Sequence, residues 1–498
     1  MADNAISDVR PAFDALAARA PDLVHESAAT RIERLQRLLK ETLAARDEIH
    51  EAVRKELGLC DTDIDQQLLM VKAEIEYACK HLADWVKAQR VKGSLMTLGK
   101  KSYIRYEPKG VVLNLATWNA PYAIGLVPAI GALAAGNAVL LKPSELAPHS
   151  AEVLARIVSR AVEPDVFTVL QGGADIAQEL LAQPFNHIFY IGGHQVGRLV
   201  MKAAAEHFAS VTLEMGGKNP TIIDASADIE TSARKIAWGR LSNAGQVCIA
   251  PDYALVHESV HDRFVEALSR AMADMYNPGD RGFKSNPEYP RIINDRHFER
   301  VTGLIDDAVD KGAKLACGGE REAAERYMAP CVVTGVTEDM RIMQEEIFGP
   351  AIAVVPWRER EEVLATIRRR PKPLALYIFA EDREAIDWFL ARTTSGSTVV
   401  NHNMIQSGTN ANLPFGGVNA SGIGRIGGHY TFLETSNQRS IIEEGPPVGD
   451  PDMMFPPYTE KYKKMAGSML SRPIVVPDMV VRGINGMIKV TSVFSRSR

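Results

Sequence analysis

The sequence predicts an α/β protein in which parallel sheets are covered by helices on both faces, and three observations carry that prediction. Short apolar runs alternate with stretches of helical periodicity from Val111 onward, the pattern of strands joined by crossover helices. The alternation starts afresh after Gly216-Gly217, so a second α/β unit succeeds the first. A length of 498 residues exceeds one ordinary core and points to two or three domains.

The N-terminal part comes first. From Arg31 to Arg90 apolar residues recur at helical spacing, as in Ile32, Leu35, Leu39 and Leu43, with charges on the other faces. This is a helical N-terminal layer. Ser102 to Tyr106 then alternates as a two-faced strand. Val111 to Leu115, Val139 to Leu141, Phe167 to Leu170, His187 to Ile191 and Val211 to Leu213 read as buried strands with helix-length intervals between them. Beyond the glycine pair come a strand at Pro220 to Ile223, a helix near Ile229 to Leu241 and a strand at Tyr253 to Val256. Gln438 to Ile442 resembles a further two-faced strand, and strands apart from both α/β units suit a subunit interface. Pro473 to Val481 is short and broken by Pro477, so it is expected to pack on the body or a partner subunit rather than touch a membrane.

Composition removes several function classes. A formal net charge of -5, with 46% hydrophobic and 24% charged residues, offers no basic field for a nucleic acid. No run of about 18 apolar residues exists to span a bilayer. Met1 to Leu23 carries Asp3, Asp8 and Asp14 where a secretory signal needs a continuous apolar stretch, so the cytoplasm is the expected compartment. Cys60, Cys79, Cys248, Cys317 and Cys331 form no C-x-x-C pair and lack histidines at zinc spacing; neither disulfides nor a metal is expected. Gly422-Ile-Gly424-Arg-Ile-Gly427 fits a dinucleotide fingerprint in letters only, because no buried strand precedes it and no amphipathic helix opens after it; a glycine-rich loop is the better reading. Gly216-Gly217-Lys218 lacks the first glycine and the terminal hydroxyl of a phosphate loop.

Three segments carry chemistry. Asn243-Ala-Gly-Gln-Val-Cys248 places a cysteine after a glycine-containing turn, where backbone N–H groups can lower a thiol's pKa and hold an oxyanion. Val211-Thr-Leu-Glu214 ends an apolar strand with a carboxylate, a setting that can raise its pKa and suit it to act as a base on water. Leu115-Ala-Thr-Trp118-Asn119 ends another strand with an amide donor. Taken singly, each has an ordinary structural explanation: a packed cysteine, an ion-paired glutamate, a turn-forming asparagine. Together they make the nucleophile, base and donor that thioester formation and hydrolysis require.

The same segments, with Leu213-Glu214-Met-Gly-Gly-Lys-Asn-Pro220, Gly245-Gln-Val-Cys248, Glu345-Glu346-Ile-Phe348-Gly-Pro350 and Leu413-Pro-Phe415-Gly-Gly417, resemble the successive signatures of the aldehyde dehydrogenase superfamily, in its order, over roughly residues 30 to 445. The 34-residue interval from Glu214 to Cys248 agrees with that family, and Cys248-Ile-Ala-Pro-Asp-Tyr253 and Phe455-Pro-Pro-Tyr458 resemble its class 3 branch of fatty, benzaldehyde-type and coniferyl aldehyde dehydrogenases. The resemblance implies an aldehyde dehydrogenase fold. Its Rossmann-like cofactor domain would be residues 1–89 and 109–216, its α/β catalytic domain 217–420, its small bridging β element 90–108 and 421–445, with a C-terminal extension at 446–498. It implies Cys248 as nucleophile, Glu214 as hydrolytic base and Asn119 as oxyanion donor. For NAD or NADP it implies Trp118, Lys142 and Glu145, the turn residues Gly192, Gly193 and Gly197, and Glu346 and Phe348 at the nicotinamide. It further implies an aldehyde substrate and a homodimer.

Departures from the family pattern shape the expectations. Thr117 replaces a usual proline, and Gly193 replaces a serine whose hydroxyl helps hold phosphate. Ala120 stands where class 3 members often carry tyrosine, which suggests room for bulky or aromatic aldehydes. Glu145 should favour NAD through the ribose 2'-hydroxyl, with NADP tolerated. Three rivals remain: an acylating dehydrogenase using coenzyme A, against which Glu214 argues; a cysteine amidase, which lacks an evident histidine partner; and a silent binding protein on the same scaffold.

Overall fold

A computed structural model describes residues 2–93, 97, 100–406, 410–444 and 455–471. The expected packing of Pro473 to Val481 lies outside these residues. The chain divides into two compact units, Met1–Leu82 with Pro108–Thr435, and Ala83–Glu107 with Ser436–Arg498.

Two sheets organise the larger unit, with strands numbered in chain order. The first holds β3 (Val111–Leu115), β4 (Ala138–Lys142), β5 (Phe167–Val169), β6 (His187–Gly192), β7 (Ser210–Met215) and β17 (Gly422–Ile423), in the order β17-β7-β6-β3-β4-β5. Its first five strands by sequence are parallel, and β17 joins β7 antiparallel. The strands form because their apolar runs are continuous: every residue of β3 and β4 is buried, as a sheet covered on both faces demands. The order reverses between β3 and β6, creating the crevice in which doubly wound sheets bind ligands beyond their carboxyl ends.

The second sheet runs β10-β13-β14-β9-β8-β15-β16. Its members are β8 (Pro220–Ile223), β9 (Tyr253–His257), β10 (Lys314–Cys317), β13 (Cys331–Thr334), β14 (Ala351–Trp357), β15 (Ala375–Phe379) and β16 (Ser397–Val400). All neighbours pair in parallel except β10 with β13. Between those two, β11 (Arg321–Glu322) and β12 (Tyr327–Met328) form a separate antiparallel ribbon. The chain passes from the first sheet to the second through Gly216–Asn219, directly after Glu214. The intervening residues form the expected crossover helices, among them Pro121–Ala135, His194–Glu206 and Ile229–Leu241.

The N-terminal layer consists of helices Ala2–Leu23, Ala28–Ala44, Arg46–Leu57 and Asp61–Trp85. Ser27 accepts from the Thr30 N–H to begin the second, and Gly58 ends the third at φ 64°, a left-handed position that glycine adopts without cost. Helical periodicity predicts a layer running to Arg90. The last helix instead stops at Trp85, and Gln89–Arg90 forms β1 against β2 (Lys101–Pro108). In the smaller unit β1, β2 and β18 (Ser436–Glu443) make a three-stranded sheet. The segment 421–445, expected as one bridging piece, divides: residues through Thr435 belong to the larger unit, and the strand begins at Ser436.

Candidate active site

A cavity of about 460 Å³ opens beyond the carboxyl ends of β3, β6 and β7. It is lined by Trp118, Asn119, Gly192, Gly193, Glu214, Cys248, Glu346 and Phe348, so eight of the eleven residues singled out in the sequence converge there. Lys142, Glu145 and Gly197 are not in its lining. Ala120 is also outside it, at the N-cap of Pro121–Ala135.

Cys248 is presented by a turn with unusual backbone. Asn243, Ala244 and Gly245 take φ values of 50°, 51° and 74°, three consecutive left-handed residues, and only glycine does so freely. The surroundings hold them in place. Gln246, fully buried, donates to the Asn243 and Arg291 carbonyls at 3.0 Å each and accepts from the Ile293 N–H at 3.0 Å. Arg240 donates to the Pro251 and Gly245 carbonyls at 2.9 Å and also to Gly349. Asn219 donates to the Cys248 carbonyl at 2.8 Å and to Ala250 at 3.1 Å, while accepting from the Ala375 N–H at 2.9 Å. The Asn119 amide donates to the Gln246 carbonyl at 3.0 Å, which fixes its rotamer and leaves its second N–H for a ligand.

The sequence favours a depressed thiol pKa; the structure gives the opposite. Burial, then the Glu346 and Glu214 carboxylates, push Cys248 up to about 12, outweighing the backbone N–H groups of Cys248 and Ile249 that pull it down. The resting group is a thiol.

Glu214 is 5% exposed, and neither carboxylate oxygen meets a donor in bonding geometry. Burial raises its pKa well above the ordinary value, outweighing the Arg425 charge and the Gly417 backbone N–H that favour the carboxylate. The glycine-rich loop rejected as a fingerprint walls this carboxylate: Gly422 and Ile423 pair with Glu214 and Leu213, and a Cβ on Gly416 would come within 2.6 Å of Glu214 Oε1. That loop leads into the six-residue helix His429–Glu434.

Glu346 and Phe348 sit on a turn clamped from two sides. Arg300 donates to the Glu346 and Ile347 carbonyls at 3.0 and 2.6 Å, and Asp252, itself paired with Lys218, accepts from the Ile347 N–H at 2.9 Å. Burial and the Asp252 carboxylate push Glu346 up to about 8. Trp118 stands edge-on to Phe348 with centroids 5.7 Å apart and lies 5.3 Å from His297.

The expected cofactor residues fit a dinucleotide cradle. A Cβ on Gly193 would meet open space, one on Gly192 would overlap the Tyr190 hydroxyl, and one on Gly197 would come within 2.6 Å of Met215 Sδ. The turn thus admits close approach by a ligand, and the helix behind it packs closely on the sheet. Lys142 ends β4 and Glu145 follows it, on the side of β3 away from β6. Lys142 is buried, with Nζ on the Pro143 carbonyl at 3.0 Å and Glu145 Oε2 at 3.3 Å; burial lowers its pKa.

Sequence reading missed Asn219, Asp252, Arg300 and His297. The first two stand inside quoted motifs with no role attached. His297 lies 49 positions after the cysteine, on a helix whose periodicity explains its apolar residues and gives no reason to single out the histidine. Burial, with Arg300 and Arg296, lowers its pKa to about 4, which keeps it neutral.

Comparison with known proteins bears on the family and the fold. The sequence profile of the aldehyde dehydrogenase family matches residues 1–441. The chain is 40% identical to the rat protein named "Aldehyde dehydrogenase, dimeric NADP-preferring", over 83% of this chain and 88% of the relative. It is 38% identical to the 4,4'-diaponeurosporen-aldehyde dehydrogenase of Staphylococcus aureus, over 87% and 93%. A solved structure described as the substrate-bound state of Staphylococcus aureus AldH superposes with a TM-score of 0.87 at 36% identity, covering 92% of this chain and 99% of the other.

Proposed function

This chain belongs to the aldehyde dehydrogenase family and is an NAD(P)-dependent oxidoreductase, and from that premise we propose that it oxidises a hydrophobic aldehyde, aromatic or long-chain, to the carboxylic acid through a thioester on Cys248. One observation carries the reading: the Cys248 thiol, the Asn119 amide and a buried carboxylate, Glu214, line a single cavity.

The Cys248 thiol gives up its proton to solvent, and the thiolate adds to the aldehyde carbon. The oxyanion that forms takes the free Asn119 N–H and the Cys248 backbone N–H, donors held in place before the reaction; losing one such donor typically costs about 2.7–4 kcal/mol of barrier. A nicotinamide dinucleotide, when bound, supplies the hydride acceptor, with Glu346 and Phe348 as the residues that would position its reactive end. Glu214 then draws a proton from water, which attacks the thioester carbon, and the Cys248 sulfur leaves. A buried carboxylate suits this step because its raised pKa makes it a stronger base than an exposed one.

Trp118, Phe348, Ile124 and Ile191 give the cavity apolar walls, and the diaponeurosporen aldehyde in one relative's name supports a large substrate. Both NAD and NADP are expected as cofactors: Glu145 argues for the first, the rat relative's name for the second. A homodimer is the proposed assembly. The cytoplasm is the proposed compartment, supported by five free cysteines, which suit a reducing environment. No helix among the described residues is long and apolar enough to cross a membrane.

The test monitors absorbance at 340 nm with either dinucleotide and a panel of aliphatic, benzylic and cinnamyl-type aldehydes. Reduced cofactor should form with a hydrophobic aldehyde and vanish in Cys248→Ala. Glu214→Gln should give a single-turnover burst, then turnover slower by roughly 10²–10⁴-fold. A requirement for coenzyme A would refute the hydrolytic role of Glu214.

A further inference from the structure

We propose that His194 is a titratable contact for the cofactor's diphosphate, so that dinucleotide binding takes up a proton at this imidazole; the inference rests on the NAD(P) assignment above. Gly192, Gly193 and His194 form the cavity wall where β6 ends and the helix His194–Glu206 begins. No side chain caps that helix, so its first N–H groups and the positive end of its dipole are available to an anion. Gly193 contributes no hydroxyl, and a Cβ there would meet nothing within 4 Å. His194 is therefore the polar side chain that the turn itself sets beside the diphosphate path.

The ring is half-buried and lines the cavity, and the Ala420 backbone favours its protonated form. Burial, then Arg198 on the same helix, hold the imidazole below its ordinary pKa, so it is neutral in the free protein. Lys372 also lines the cavity, with Nζ on Asn419 Oδ1 at 2.9 Å, and Glu214, Lys218, His297, Arg300, Glu345, Glu346 and Arg370 are the further charged or titratable groups of the lining. A diphosphate arriving beside a neutral imidazole favours the imidazolium. The proton comes from solvent, so binding must tighten as pH falls.

Calorimetric titration of NAD into the full chain, in buffers of different ionisation enthalpy between about pH 6 and 8.5, reads both affinity and proton uptake. A rise of about one unit in the imidazole pKa on binding corresponds to about tenfold tighter binding at the acid end. His194→Gln should flatten this dependence and lose the proton uptake, and His194→Arg should keep the tight affinity without the slope. Glu346, near 8, titrates in wild type and variants alike, so the difference between them isolates the histidine. If NAD binds and His194→Gln retains the wild-type slope and uptake, the histidine assignment falls and the cofactor assignment stands. If neither NAD nor NADP binds the wild-type protein saturably, both fall.

Discussion

Cys248 sits between two opposing influences. Its backbone setting favours the thiolate, while burial and the Glu346 and Glu214 carboxylates favour the thiol and win, at about 12. Alkylation by iodoacetamide should therefore be slow at neutral pH and climb with pH through the accessible range, since the thiolate is the nucleophile. The sign for Glu346 is set by its own value near 8: below that pH it is largely protonated and hardly opposes the thiolate, above it the charge is present. Glu346→Gln should thus speed alkylation above about pH 8, by about tenfold for each unit by which the thiol pKa drops, and leave the rate near pH 6 unchanged. An alkylation profile identical to wild type would show that the carboxylate does not act on the thiol.

The turn from Asn243 to Gly245 is the element on which the cysteine's position depends. Gly245, at φ 74°, lies against the Gly349 carbonyl and the Arg240 guanidinium, which a Cβ would overlap. Gly245→Ala should cost at least roughly 1–2 kcal/mol from the left-handed backbone alone, read by denaturant unfolding, and should reduce the burst of reduced cofactor by displacing Cys248. A wild-type burst amplitude would mean that the turn yields without moving the thiol. Strands were legible in the sequence where burial on both faces made their apolar runs continuous, as in β3 and β4. The two-residue strands β1 and β17 were not, because so short a segment carries no period and owes its pairing to its partner. The same reason hid the wall around Glu214: Gly416 and Gly422 are about 200 positions away in sequence, and a glycine's letter does not say what packs against its missing side chain.

At the scale of the molecule, the unexplained feature is an apolar surface. On the helix His194–Glu206, Val196, Leu199 and Met201 are 45%, 56% and 43% exposed, and Phe208 just beyond it is 98% exposed. The face turned to the sheet is accounted for by Gly197, Val200 and Ala204, which are buried. Gln195, Arg198, Lys202 and Glu206 stand at the spacing of the opposite face, as in an ordinary surface helix, and the exposed apolar side chains flank the buried face. Large apolar side chains exposed beside a buried face suit a covered surface, and a second copy of the chain is the occupant that the homodimer proposal supplies. The double variant Leu199→Glu, Phe208→Glu introduces like charges that would face each other across a twofold interface, and desolvating them opposes association. Sedimentation should find the wild-type chain as a dimer and the variant as a monomer or a markedly weaker dimer. Because the same helix begins at the cofactor turn, NAD affinity in the monomeric variant separates two cases: unchanged affinity makes the interface a matter of assembly alone, and weakened affinity makes the helix the element that links assembly to cofactor binding. A wild-type monomer with this surface exposed at micromolar concentration would overturn the assignment.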